Sequence, residues 1–235
     1  MNRSSLALFN GKVYLENRRT MVLGLSPGNP HYYKDDTLRS LCQLAESRAD
    51  KVLLFIPDKI LEHNYKAVGS KNPETSARVK SNRLRNKCKE VMQSIGCQAE
   101  KFTFISWTTQ VQSNPYYDKA YQCIRELYLK NDQFRVEIQE STRAALTCMT
   151  NGRESGQQDS SNETFIDINE GVIYILKELA FLDALQHIYE NCQEYVFVYH
   201  REWPILEKYF DGFYDGISRS SLGFLVFSQE GNING

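Results

Sequence analysis

Apolar positions follow two different rhythms along the chain. Short runs at Thr20 to Leu25, Lys51 to Ile56, Tyr195 to Tyr199 and Gly223 to Phe227 are apolar at nearly consecutive positions, and Lys101 to Ser106 is a further short strand-like stretch. That is the mark of strands covered on both faces. Between them the apolar residues recur at helical spacing. Asp36 to Arg48 sets Leu38, Leu41, Cys42 and Ala45 on one face, and Tyr117 to Met149 is helical with a break at Asn131-Asp132. Strand, helix, strand, helix, strand predicts an α/β domain with a mainly parallel sheet flanked by helices. Thr150 to Thr164 is polar and reads as a surface loop, and the tail from 228 to 235 is expected to fray. Residues 1–235 are read as a single catalytic domain.

The segment after the second strand is a well-marked helix. Asn72 is an N-cap, Pro73 fits the first helical position and Gly96 is a natural stop. Ala77, Leu84, Cys88, Val91 and Ile95 form one apolar stripe. Lys80, Arg83 and Lys87 flank the stripe on one side, and Arg78, Arg85 and Lys89 on the other. Lys71 to Lys89 holds seven basic residues and one acid, +6, which leaves −7 on the rest of a chain whose net charge is −1. Ordinary solvated helices mix their signs. A concentrated cationic helix on an acidic protein points to a polyanion partner, held through phosphates without sequence readout.

Composition narrows the classes. With 235 residues, 41% hydrophobic and 24% charged, the chain can bury a full core without staples. No apolar run approaches the roughly 20 residues of a membrane span, and Met1 to Lys12 has no secretory h-region. The expectation is a cytoplasmic monomer with no membrane contact. The six cysteines form no C-x-x-C pair and read as reduced thiols, and the four histidines have no metal-ligand spacing. No metal and no cofactor are expected. The glycine-rich loops that hold ATP or a dinucleotide are absent.

Three stretches carry candidate chemistry. In the first, a buried strand ends at Ser26, where Pro27-Gly28-Asn29 turns the chain. Ligands of open α/β sheets bind at such carboxyl edges. Gly24 to Gly28 also matches the hydrolase G-x-S-x-G elbow, but Pro27 has no N–H to donate to an oxyanion, so that fold is rejected. In the second, the apolar helix from Gly171 to Leu182 places Tyr174 and Glu178 at i and i+4. Glu178 either rolls toward water beside Lys177 or stays inside to hold a cation or move a proton. In the third, the strand at Val196 ends at Tyr199-His200, near the edge that carries Ser26.

These pieces together resemble the cyclodipeptide synthases, over roughly residues 20 to 228. The family's Gly-aliphatic-Ser motif is Gly24-Leu25-Ser26, and Asn29 and Tyr199-His200 match one of its subfamilies. Its Tyr-x-x-x-Glu helix matches Tyr174 and Glu178, Tyr117 after Pro115 fits a further active-site tyrosine, and Asp132 and Phe134 an Asp-x-Phe pair. Two positions depart: the usual Pro two residues after the motif Glu is Ala180, and a pocket Asn has only Cys148 or Asn151 nearby. The resemblance implies a Rossmann-like fold similar to the catalytic domain of class I aminoacyl-tRNA synthetases. It also implies ATP-independent, ping-pong use of two aminoacyl-tRNAs, with Ser26 as nucleophile and no cofactor. Tyr174, Glu178 and Tyr199 would act on the substrate, with Gly24, Asn29, Tyr117 and His200 lining its pocket. Val22, Leu54, Phe181 and Phe197 would wall the first side-chain pocket. Arg78, Lys80, Arg83, Arg85, Lys87 and Lys89 would hold tRNA. The other readings are a non-catalytic RNA-binding module and a serine hydrolase of unusual form.

Overall fold

The computed structural model describes residues 4–8, 20–151, 166–189, 195–218 and 223–229. The loop expected at 150–164 lies almost wholly outside the described residues, as do the final residues from 230. The chain divides into two compact units. One comprises Met1–Ile56, Arg83–Ile105 and Tyr189–Gly235, the other Pro57–Asn82 and Ser106–Ile188.

The first unit holds the sheet. Its strands are β1 (Ser4–Leu8), β2 (Thr20–Gly24), β3 (Lys51–Phe55), β4 (Phe102–Phe104), β5 (Tyr195–Tyr199) and β6 (Gly223–Gln229), in the order β1-β6-β5-β2-β3-β4. β6, β5, β2, β3 and β4 run parallel, as expected for an α/β domain, and β1 pairs antiparallel with β6. β1 has no counterpart among the expected strands. SSLAL is too short and too weakly β-prone to announce a strand, and pairing with β6 carries it through Ser4↔Gln229. Ser228 and Gln229, expected to fray, are the other half of that pairing.

One face of the sheet packs on α1 (Asp35–Arg48) and the later turns of α3 (Pro73–Ser94). Met21, Leu23, Val52, Leu54, Val196, Val198, Leu225 and Phe227 meet Leu38, Leu41, Cys42, Ala45, Leu84, Cys88 and Val91 there. The stripe read along α3 is therefore its buried face, and Ser81 fills the gap between Ala77 and Leu84 with no exposure. The ends of α3 form as read. Asn72 C=O accepts the Ser76 N–H, and Gly96 takes φ +69. Cys97 N–H then reaches Met92 C=O and Gly96 N–H reaches Gln93 C=O, closing the helix with paired reverse bonds.

The second unit is helical: α2 (Leu61–Ala67), the first turns of α3, a π-helical turn (Trp107–Val111), α4 (Pro115–Lys130), α5 (Asp132–Asn151) and α6 (Ile168–Ile188). The break between α4 and α5 falls at Asn131. Its N–H closes α4 on Leu127 C=O, and its side-chain oxygen accepts the Phe134 N–H that opens α5. Gly171 lets α6 approach α5 closely, since a β-carbon there would lie 2.6 Å from Thr142 Cγ2. α7 (Pro204–Phe210) belongs to the first unit. Among the described residues no helix is long and apolar enough to cross a membrane. Cys42, Cys88, Cys97, Cys123 and Cys148 are free thiols, and Cys192 lies outside the described residues.

Candidate active site

The strand order locates a crevice in the first unit. From β2 the chain steps outward to β3 and β4, then returns to place β5 on the other side of β2. Neighbouring parallel strands whose connections leave in opposite directions open a crevice at their carboxyl ends. Ser26 lies just past the end of β2, and His200 just past the end of β5. Leu25 N–H still bonds Phe55 C=O at 2.9 Å, so the sheet grips the chain up to the residue before the serine. Asn29 N–H then bonds Ser26 C=O at 3.1 Å across a turn with Pro27 at its second position. Ser26 itself is half-buried. The Asn29 side-chain oxygen accepts the His31 N–H at 2.9 Å and so caps the short 3-10 helix Pro30–Tyr33.

Tyr32 ties the two strand ends together. Its hydroxyl donates to Gly24 C=O at 2.9 Å and lies 3.1 Å from His200 Nδ1. Burial, with the charges of Arg201 and His31, pulls the His200 imidazole down to about 3, so it is neutral at physiological pH. With the single Tyr32 proton committed to a carbonyl, His200 must carry its proton on Nδ1 and donate to the Tyr32 oxygen. Nε2 is then an acceptor.

The face of the sheet turned away from α1 is aromatic around Gly24. Register places Val22, Leu53, Phe197 and Phe224 side by side on it, with Gly24, Phe55, Tyr199 and Val226 two residues further along. Phe197 stacks on Tyr199 with centroids 5.8 Å apart, and Tyr199 lies 4.2 Å from the His200 ring. A β-carbon on Gly24 would meet Phe197 Cζ at 2.6 Å. Leu54 departs from the expectation. It pairs with Leu23 and packs in the core against α1 and α3, because alternate strand residues point to opposite faces. Leu53, opposite Val22, holds the place expected of Leu54.

In the second unit, α6 is buried nearly all round, which its sequence required. Glu178 is 4% exposed and Tyr174 8%, so Glu178 does not roll toward water. Its neighbour Lys177 points elsewhere and donates to His63 Nε2 at 2.9 Å, while His63 Nδ1 lies 2.9 Å from Glu170. Burial lowers both His63 and Lys177, Lys177 adding to the effect on His63 and Glu170 opposing it. A neutral imidazole thus donates to the carboxylate and accepts from the ammonium, fixing α2 to α6. Asn114 caps α4 by accepting the Tyr116 N–H, and Tyr117 is turned inward. Tyr117 packs edge-on to Trp107 at 5.3 Å, and Trp107 lies 5.9 Å from Phe181. Burial, with Tyr121 and Asp118 nearby, pushes the Tyr117 phenol well above its ordinary range and keeps it a proton donor. Ala180, where the family motif has Pro, is fully buried, and Cys148 is exposed.

The cations of α3 sort onto two shoulders. Arg83 lies over the Tyr33 ring at 5.1 Å and Lys87 pairs with Asp35 at 2.5 Å. On the other side Arg85 and Lys89 lie over Phe104 at 5.7 and 5.8 Å. Arg78 and Lys80, nearer the helix start, are exposed. Sequence reasoning passed over Tyr32, Tyr33, Leu53, Trp107 and His63. Leu53 follows only from the β2–β3 register, which pairs it with Val22. The others depend on contacts across long sequence separations and left no local signal.

The comparisons with known proteins agree with this architecture. The cyclodipeptide synthase family model matches residues 10–229. The Cyclo(L-leucyl-L-leucyl) synthase of Bacillus subtilis (strain 168) is 21% identical over 224 residues, covering 94% of this chain and 86% of that protein. A cyclodipeptide synthase structure from Bacillus thermoamylovorans superposes with a TM-score of 0.77 at 18% identity, covering 97% of each chain. One from Candidatus Glomeribacter gigasporarum, bound to Phe-tRNAPhe, gives 0.64 at 20% identity, covering 93% of this chain and 91% of that one. Structural likeness at such identities speaks for the fold. The family model, running over nearly the whole sequence, decides membership: this chain belongs to the cyclodipeptide synthase family.

Proposed function

We propose that Ser26 is the nucleophile of a two-step aminoacyl transfer. The Ser26 oxygen attacks the ester carbonyl of a first aminoacyl-tRNA. The tRNA terminal hydroxyl leaves with the serine proton, and an aminoacyl-serine ester remains. The amine of that residue attacks the ester of a second aminoacyl-tRNA and displaces its terminal hydroxyl, which leaves with the amine proton. The dipeptidyl ester on Ser26 then cyclises by attack of its free amine on the Ser26 ester carbonyl. Serine is regenerated and a diketopiperazine is released. ATP has no part in this scheme, because each tRNA ester is already activated.

The observation that carries the reading is the seat of Ser26. It is half-buried at the switch-point edge of the sheet, one residue past a backbone bond to β3, with His200 at the end of the adjacent strand. Pro27 has no N–H at the position from which the α/β-hydrolase elbow donates to its oxyanion, so Ser26 is not the elbow serine of that fold. In this scheme Tyr174 and Glu178 hold the substrate ammonium, a role suited to a carboxylate that α6 keeps from water. Tyr199 positions the aminoacyl group, and Gly24, Asn29, His200 and Tyr117 shape its surroundings. The cations of α3 hold tRNA phosphates, in keeping with the tRNA bound to the relative from Candidatus Glomeribacter gigasporarum. Val22, Leu53, Phe197 and Phe181 are apolar and favour an apolar first residue, in line with the leucyl product named for the Bacillus subtilis relative.

Mass spectrometry of the medium from bacteria expressing the chain tests the proposal. A diketopiperazine mass present for the wild type and absent for Ser26→Ala is expected. Equal amounts from both would refute a role for Ser26.

A further inference from the structure

Tyr33 occupies a place that neither the sequence motifs nor the proposed chemistry assigns. It closes the 3-10 helix that follows the Ser26 turn, and its hydroxyl donates to Pro27 C=O at 3.0 Å. Pro27 follows Ser26 directly, so this hydrogen bond holds the Pro27–Gly28 peptide in the turn that carries the nucleophile. The other side of Tyr33 faces α3, where the Arg83 guanidinium lies 5.1 Å from its ring centroid. One turn further along α3, Lys87 pairs with Asp35 at the start of α1. Tyr33, Arg83, Asn86, Lys87 and Glu90 line an open concavity. All of these residues belong to the first unit.

A guanidinium lying on an aromatic ring is held by its face, and its N–H edges stay available for a phosphate. Arg83 is exposed and has no carboxylate partner among the described residues. Glu90 on the rim keeps the concavity from being uniformly cationic. The ring orders Arg83 before any phosphate arrives, and the same side chain holds the carbonyl beside Ser26.

Resting on the aminoacyl-transfer reading above, we infer that Tyr33 is a positioning residue joining the two halves of the reaction. Its ring presents Arg83 to a tRNA phosphate and its hydroxyl holds the Ser26 turn. The two functions separate by substitution. Tyr33→Phe keeps the ring and loses the bond to Pro27, whereas Tyr33→Leu loses both.

The test uses the full chain and an aminoacyl-tRNA matching the product the wild type makes. It measures the rate of Ser26 acylation at saturating tRNA, and KM. Tyr33→Phe lowers the acylation rate about fivefold, the worth of one hydrogen bond, and leaves KM within about twofold. Arg83→Ala raises KM with little change in rate. Tyr33→Leu does both, and adding Arg83→Ala to it raises KM no further. Should Tyr33→Leu fail to fold, Tyr33→Phe and Arg83→Ala still test the inference, since each must move one parameter without the other. A wild-type rate in Tyr33→Phe, or a change confined to its KM, overturns the inference while leaving the nucleophile reading intact. A wild type that turns over aminoacyl-tRNA without acylating Ser26 removes that reading, and the inference with it.

Discussion

A β-carbon at Gly24 would lie 2.6 Å from Phe197 Cζ and 3.0 Å from Tyr199 Cδ2, so this residue sets how closely both rings approach the end of β2. Gly24→Ala must push Phe197 and Tyr199 aside. Overpacking of this kind costs about 1–3 kcal/mol. The expected result is a lower urea midpoint and a loss of product of at least about tenfold, measured by chemical denaturation and turnover. His200 yields a pH prediction. Its folded value of about 3 lies below the ordinary 6.5, so between those values the unfolded chain binds more protons. Stability from this group is therefore present above pH 6.5 and is lost as pH falls toward 3, at up to about 1.4 kcal/mol per pH unit. Glu207 acts in the opposite sense. Burial, with Glu202 and Asp211, raises it to about 7 from 4.5, so its contribution falls as pH rises through that window. The two offset each other between 4.5 and 6.5, and below that only His200 of this pair acts. The stability difference between wild type and His200→Gln should shrink steadily as the pH is lowered, and parallel curves would contradict a neutral buried imidazole. Legibility at this scale was uneven. Ser26, Glu178 and Tyr199 stood out because a polar group at the end of a buried strand, or a charge in an apolar helix, is conspicuous. Leu54 was misplaced by one position, because an all-apolar strand does not reveal which residues face which way. The bonds of Tyr32 and Tyr33 to their own turn could not be read before the turn was built.

Helix α3 shows how far local signals reach at the scale of an element. The Asn72-Pro73 start, the Gly96 stop and the buried stripe all follow from short-range rules. What the shoulders touch does not, since Tyr33 precedes α3 by two helices and a strand and Phe104 is brought back beside α3 only when β4 joins the sheet. The functional expectation is electrostatic. Charge reversal at Arg83 and Lys87 should weaken aminoacyl-tRNA binding, and each phosphate no longer held should lower the salt slope by about one. Filter binding across a salt series measures both, and unchanged affinity would count against α3 as the tRNA surface. Ser81 within the stripe shows the limit of hydrophobic patterning, which skips a polar residue that the helix buries.

For the whole molecule, the alternation of apolar runs and helical spacing announced the parallel sheet correctly. Strand order was not legible, because pairing depends on contacts between segments far apart in the chain. The return of β5 to the side of β2 is the fact that makes a crevice at Ser26. The expectation that the Tyr199-His200 end lies near the Ser26 edge agrees with it, but the direct pairing of the two strands is shown only by the fold. β1 escaped notice because its pairing with β6 alone gives it strand character. The division into two compact units was equally invisible, since the chain crosses between them four times and one crossing falls inside α3 between Asn82 and Arg83, where no linker composition marks it. The central claim concerns one covalent bond. The purified chain should be mixed with a single aminoacyl-tRNA carrying a labelled apolar amino acid, quenched in acid, digested and analysed by mass spectrometry. The account predicts one aminoacyl group in ester linkage on the peptide containing Ser26, with release of uncharged tRNA and no such adduct in Ser26→Ala. A diketopiperazine formed without any adduct on that peptide, or an adduct that persists in Ser26→Ala, would contradict it.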